Sequence, residues 1–160
     1  MLRAGEIDVA FARLGGVSHE GLETIPLVEE RLAVALPATH LLAAKARVRL
    51  SALAEEDFVM FFRRVSPDYF DGLTAACKAA GFSPRILHEV RSVGSQVAFV
   101  GCGQGIALVP ATFRKLAPEN VVVRPLQENI KVVTIAMAWN AERPNVLVQQ
   151  LRDDLTTKRR

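Results

Sequence analysis

The stretch 91–113, RSVGSQVAFVGCGQGIALVPATF, leaves the chain few folds to choose from. Ser95 reads as an N-cap, and Val97, Ala98, Phe99 and Val100 carry a short, mostly apolar helix. Gly101 and Gly103 close it, because glycine enters the left-handed conformation at no steric cost. After Gln104 and Gly105, residues 106–109 are apolar without alternation. That pattern predicts a strand covered on both faces, as in a parallel sheet between helices, and Pro110 ends it.

The rest of the chain supplies matching parts. Residues 7–12, 22–29, 31–36, 58–62, 85–90, 121–126 and 130–139 read as strands, with Pro26 pushing the second toward a sheet edge or bulge. Ser66 caps a helix with Pro67 at its first position, and Tyr69, Leu73, Ala76, Cys77 and Ala80 follow at helical spacing until Gly81. Ser51 is read as the cap of a short helix over 52–56. Pro144 is read as opening a last helix, with Val146, Leu147, Leu151 and Leu155 on one stripe. From Phe58 onward strands and helices alternate, so the middle is βαβ with a parallel sheet. Residues 47–112 form a complete block, and the flanks 1–36 and 113–160 must complete each other. The expected class is therefore α/β with two lobes, lobe I from about 1–36 plus 113–160 and lobe II from about 47–112.

Composition narrows the function. The net charge is +3, but Lys158, Arg159 and Arg160 supply three positive charges together, and the other basic residues are interspersed with acidic ones. A solvated tail is expected there, not a nucleic-acid patch. Cys77 and Cys102 are expected to be buried, reduced thiols on helices, with no disulfide framework. No apolar run has the length a bilayer requires, and no secretory signal is read, so a cytoplasmic location is expected.

The residues offer one strong candidate site. In Arg63-Arg64-Val65-Ser66-Pro67-Asp68-Tyr69 a helix begins, and helix starts present free N–H groups and partial positive charge to an anion. Arg63 can add field, and Tyr69 can stack on a ring or hydrogen-bond a carboxylate. Asp68 argues the other way, since it already answers the helix dipole. A plain cap with solvated arginines remains the alternative. Ser95 and Gln96 open the later helix and are candidate ligand partners, with a simple cap as the other reading. Arg13, just past the first strand, can pair with an anion or with a surface carboxylate. His19, His40 and His88 share no metal-ligand spacing, and neither a nucleophile–base pair nor a phosphate loop can be named. No cofactor and no enzyme activity are expected.

Taken together, "LRAGEIDVAF", "ERLAVALPATHLL", "FFRRVSPDYFDGL", "AAGFSPRILHEV" and "FVGCGQGIALVPA" resemble the effector-binding domain of LysR-type transcriptional regulators over nearly the whole chain. The "SPDYF" segment and the "EV" before the closing unit are most similar to the branch that senses aromatic acids and their ring-opened products. The resemblance implies a type 2 periplasmic-binding-protein-like fold with its first lobe incomplete. It implies a small carboxylate effector held between lobes by Arg13, Arg63, Ser66, Pro67, Asp68, Tyr69, Ser95 and Gln96. It also implies a homo-oligomer, dimer or tetramer, that meets DNA only through a winged helix-turn-helix absent from this chain. A stand-alone solute-binding protein of the same fold, or a fragment that only self-associates, stay open as alternatives.

Overall fold

The order of elements in a computed structural model, which describes residues 1–13 and 21–157, follows the alternation in the sequence. Arg13, Val133 and Thr134 are described in their backbone only. The loop reading at Leu14-Gly15-Gly16, His19 and the tail Lys158-Arg159-Arg160 lie outside the described residues. The strands are β1 (Val9–Arg13), β2 (Leu22–Pro37), β3 (Asp57–Phe61), β4 (Arg85–Val90), β5 (Ala107–Pro110), β6 (Val121–Pro125) and β7 (Lys131–Asn140). The helices are α1 (Pro67–Ala79), α2 (Val93–Gly101) and α3 (Val146–Thr157), with 3-10 helices at Leu41–Ala44, Leu50–Leu53 and Ala111–Lys115. Two compact units result, one of Met1–Glu29 with Val133–Arg160 and one of Glu30–Val132.

In the first unit β1 runs antiparallel to β7, with Val9 opposite Trp139 and Ala12 opposite Ala136. The start of α3 is held by Asn145, whose Oδ1 accepts the Leu147 N–H at 2.9 Å, and not by Pro144. The apolar stripe expected on α3 is also corrected. Val148 is buried there, while Val146 and Leu147 are about 70% exposed, at 68% and 72%.

The second unit holds the larger core. The two strands expected over 22–29 and 31–36 are one, β2, and its registers with β5 and β6 begin at Leu32 and Ala33, well beyond Pro26. Both of those pairings are antiparallel. β3 and β4 pair in parallel, and on the other side of β3 the Val59 N–H bonds Ile106 O and the Ile106 N–H bonds Asp57 O, each at 2.8 Å. The parallel sheet expected of the middle is thus present at β4, β3 and Ile106, while β5 itself continues antiparallel to β2. Burial follows: Phe58, Val59, Met60, Leu108 and Val109 are fully buried. On α1 the buried residues Tyr69, Leu73 and Cys77 recur every four positions, as the apolar spacing demands.

Three local readings change. The cap of α2 is Ser92, whose Oγ accepts the Ser95 N–H at 3.0 Å, and the helix begins at Val93. The 3-10 helix at Leu50–Leu53 follows Arg49 and not Ser51. Its first N–H, on Leu50, is taken by both carboxylate oxygens of Glu128 at 3.0 and 3.1 Å. Cys102, expected to be buried, is exposed just past α2, and Phe99 is 36% exposed against the His88 ring. His40 makes two contacts: Nδ1 accepts the Leu42 N–H, and Nε2 meets Glu56 at 3.1 Å.

Candidate functional site

Parallel strands direct the following helices back from one common edge, so helix starts gather at the strands' carboxyl ends. In the second unit that edge is formed by Phe61 and Phe62 of β3 and its exit, and by Val90 and Arg91 of β4 and its exit. The Phe62 N–H bonds Val90 O at 2.7 Å, which holds the two exits together. α1 begins six residues beyond Phe61, and α2 begins three residues beyond Val90. The Arg91 guanidinium lies over the Phe62 ring, 5.9 Å from its centre. Arg91 makes no ion pair among the described residues and was not singled out in the sequence, where it looks like any polar strand end.

The predicted residues fall on this edge in two groups. Ser66 stands at the N-cap position of α1 and is buried, Pro67 follows at the first helical position, and Asp68 lies exposed in the first turn. Proline has no N–H, so the free amides of this turn are those of Asp68 and Tyr69. Tyr69 is 3% exposed and packs edge-on against Phe61, with ring centres 5.6 Å apart. Its hydroxyl has no hydrogen-bond partner among the described residues. Burial, and then the charge of Glu30, push its phenol well above the ordinary range.

On α2, Ser95 is held by Ser92, Oγ to Oγ at 2.8 Å. Gln96 is fully buried; its Nε2 donates to Val59 O at 2.9 Å, and its Oε1 has no partner among the described residues. Tyr69 and Gln96 therefore address positions 61 and 59 of the same strand, about 7 Å apart along it. Leaving a buried polar atom unpaired costs roughly 1–3 kcal/mol. Among the described residues these are the two buried side-chain atoms in that state.

Arg63 is committed elsewhere. Its Nε and Nη2 donate to the two carboxylate oxygens of Asp71 at 2.7 and 2.8 Å, and those hydrogen bonds hold the Asp71 carboxyl below its ordinary range. Any field Arg63 offers an anion is offset by that partner. The backbone of Arg13 ends β1 in the first unit, and its side chain lies outside the described residues. Cys77 is no nucleophile, since burial pushes its thiol up to about 11. Among the described residues no group of His, Cys, Asp and Glu could hold a metal, and no helix is long and apolar enough to cross a membrane.

The family model described as LysR substrate binding domain matches residues 1–160. The regulator BudR of Raoultella terrigena is 29% identical over 138 residues, covering 86% of this chain and 48% of that protein. BenM of Acinetobacter baylyi is 30% identical over 139 residues, covering 86% of this chain and 45% of that protein. The BenM effector-binding domain with its effector benzoate superposes with a TM-score of 0.76 at 27% identity, covering 98% of this chain and 71% of that one. The regulator CbnR, at 22% identity and a TM-score of 0.80 over 98% of this chain and 54% of its own, shares the fold. The chain spans about half the length of the curated relatives it matches. Those relatives are transcriptional regulators and not enzymes, and the α/β architecture is that of their effector domains, the type 2 periplasmic-binding-protein-like fold. The chain belongs to the LysR substrate-binding-domain family.

Proposed function

We propose that the chain is the ligand-sensing regulatory domain of a LysR-type transcriptional regulator, and that it takes an aromatic or aromatic-derived carboxylate at the β3–β4 edge. The observation that carries this is the pair of buried, unpartnered polar atoms, Tyr69 Oη and Gln96 Oε1, in the first turns of α1 and α2. The Tyr69 hydroxyl can donate to a carboxylate, whereas Gln96 Oε1 only accepts and answers a group on the ligand that donates. The amides of Asp68 and Tyr69, with the α1 dipole behind them, suit the carboxylate, and Phe61, Phe62 and Tyr69 suit the ring. Benzoate as the effector of BenM supports the ligand class, at 27% identity. In the full regulator, which meets DNA as an oligomer, effector binding resets activity only as far as it favours one conformational state over another. Such couplings are typically about 1–3 kcal/mol.

Thermal or urea unfolding with benzoate and with cis,cis-muconate tests this. A bound acid at a hundred times its Kd adds about 2.7 kcal/mol of stability. Tyr69→Phe separates the site from the fold. Without ligand the variant is expected to be as stable as the parent or more so by ~1 kcal/mol, because an unpaired buried hydroxyl is gone. Its affinity for the acid is expected to fall about tenfold, one hydrogen bond to a charged group. A Tyr69→Phe chain that loses stability yet binds the acid unchanged removes this site from the proposal.

A further inference from the structure

The short segment Lys45-Ala46-Arg47-Val48-Arg49 alternates charged and apolar residues. Its register is fixed at Val48, whose N–H bonds Pro125 O at 3.0 Å and whose carbonyl accepts the Gln127 N–H at 2.9 Å. Val48 is 1% exposed. In extended backbone alternate side chains point to opposite sides, so burying Val48 turns Arg47 and Arg49 outward together. They and Lys45 line one open cavity of about 370 Å³, together with Leu42, Ser51, Ala52 and Gln127. No carboxylate lines it. The nearest in the chain, Glu128, spends both oxygens on the Leu50 N–H and faces a different cavity, beside Ala76 and Ala79. Among the described residues Lys45, Arg47 and Arg49 make no ion pair. Gln127 Oε1 receives Arg49 Nε at 3.4 Å, which steadies the guanidinium while leaving its terminal nitrogens for a ligand.

We propose that this cavity is a second binding site, separate from the β3–β4 edge, for a small molecule carrying a compact group with two or more negative charges, a phosphate ester or a polycarboxylate. Lys45, Arg47 and Arg49 line one cavity and make no ion pair among the described residues, so a multivalent anion there meets three cations at once. Arginine forks match phosphate and carboxylate geometry in pairs. The volume falls within the ~300–1,000 Å³ of small-molecule sites. An extended polyanion such as DNA is disfavoured, because Glu55 and Glu56 follow the cavity's 3-10 helix within a few residues and Glu128 borders its start.

Pyrophosphate titrated into the 160-residue chain by calorimetry at low salt tests the site, with citrate as the second arm. Saturable one-to-one binding is expected, weakened when NaCl is raised from about 0.05 to about 0.3 M. Arg47→Gln/Arg49→Gln is expected to weaken it about tenfold or more, while Arg114→Gln/Lys115→Gln, with the same change in net charge, leaves it unchanged. Amide NMR shifts on the unaltered chain, centred on Val48 and Gln127, locate the ligand even where the double variant folds poorly. Pyrophosphate binding without citrate assigns the site to phosphates, and the reverse assigns it to polycarboxylates. Failure of both to saturate, equal losses in the two double variants, shifts centred elsewhere, or binding of duplex DNA alone overturns the proposal. Benzoate is expected to bind equally well with pyrophosphate present, so failure here leaves the β3–β4 reading standing.

Discussion

Gly105→Ala is expected to cost about 3 kcal/mol or more of folding stability, the sum of a strained backbone and a forced contact. Gly105 has φ +122°, which side chains rarely adopt. A Cβ there would stand 2.5 Å from the Asp57 carbonyl oxygen and 3.1 Å from its carbon. The same oxygen receives the Ile106 N–H, so relieving the clash means moving β3 away from the strand that leads into β5. Neither side can yield, since Phe58 and Ala107 are fully buried on either side of the join. Urea unfolding measures the loss, and a variant within about 1 kcal/mol of the parent would mean that this loop is softer than its geometry requires.

Phe58→Ala is expected to cost about 3–5 kcal/mol, the usual range for emptying a large, fully enclosed site. Phe58 is 0% exposed, its ring centre is 6.0 Å from that of Phe82, and its backbone bridges Ile106 in parallel. Phe82, in the turn after α1, packs on this ring, and the strand that carries it is paired on both sides, with β4 and with Ile106, so the space left behind does not collapse easily. Equilibrium denaturation checks it, and a smaller loss paired with a lowered m-value would point to a loosened native state.

How far the sequence could be read depends on the range of the interactions involved. β3 and β5 were legible because a run of apolar residues with no polar face admits one environment, and the structure buries both. α1 was legible because Tyr69, Leu73 and Cys77 recur with the helical period. The α2 cap was misplaced by one turn, since Ser92 and Ser95 are equally able acceptors and only the backbone's extended φ/ψ at Ser92 decides between them. On α3 the expected stripe was wrong, because the helical period alone does not say which side is covered, and Val148 is buried where Val146 and Leu147 stand exposed. Glu128 reaching Leu50 spans 78 residues, and no local pattern announces it. In the candidate site, Tyr69 and Gln96 could be named from their places in two helix starts. Arg63 looked available because its partner Asp71 lies eight residues on, across a turn and into the helix. That both candidate side chains would be buried with an atom left unbonded is a property of packing, and packing has no signature in one dimension.

The two cysteines differ in a way that is useful at the bench. Cys77 is buried on α1 with its thiol pushed up to about 11, whereas Cys102 stands in solvent one residue past α2. A maleimide dye added to the folded chain therefore lands on a single known atom, at the far end of the nine-residue helix whose first turn carries Gln96. Its fluorescence offers an optical reporter for that helix, with no engineered attachment point required.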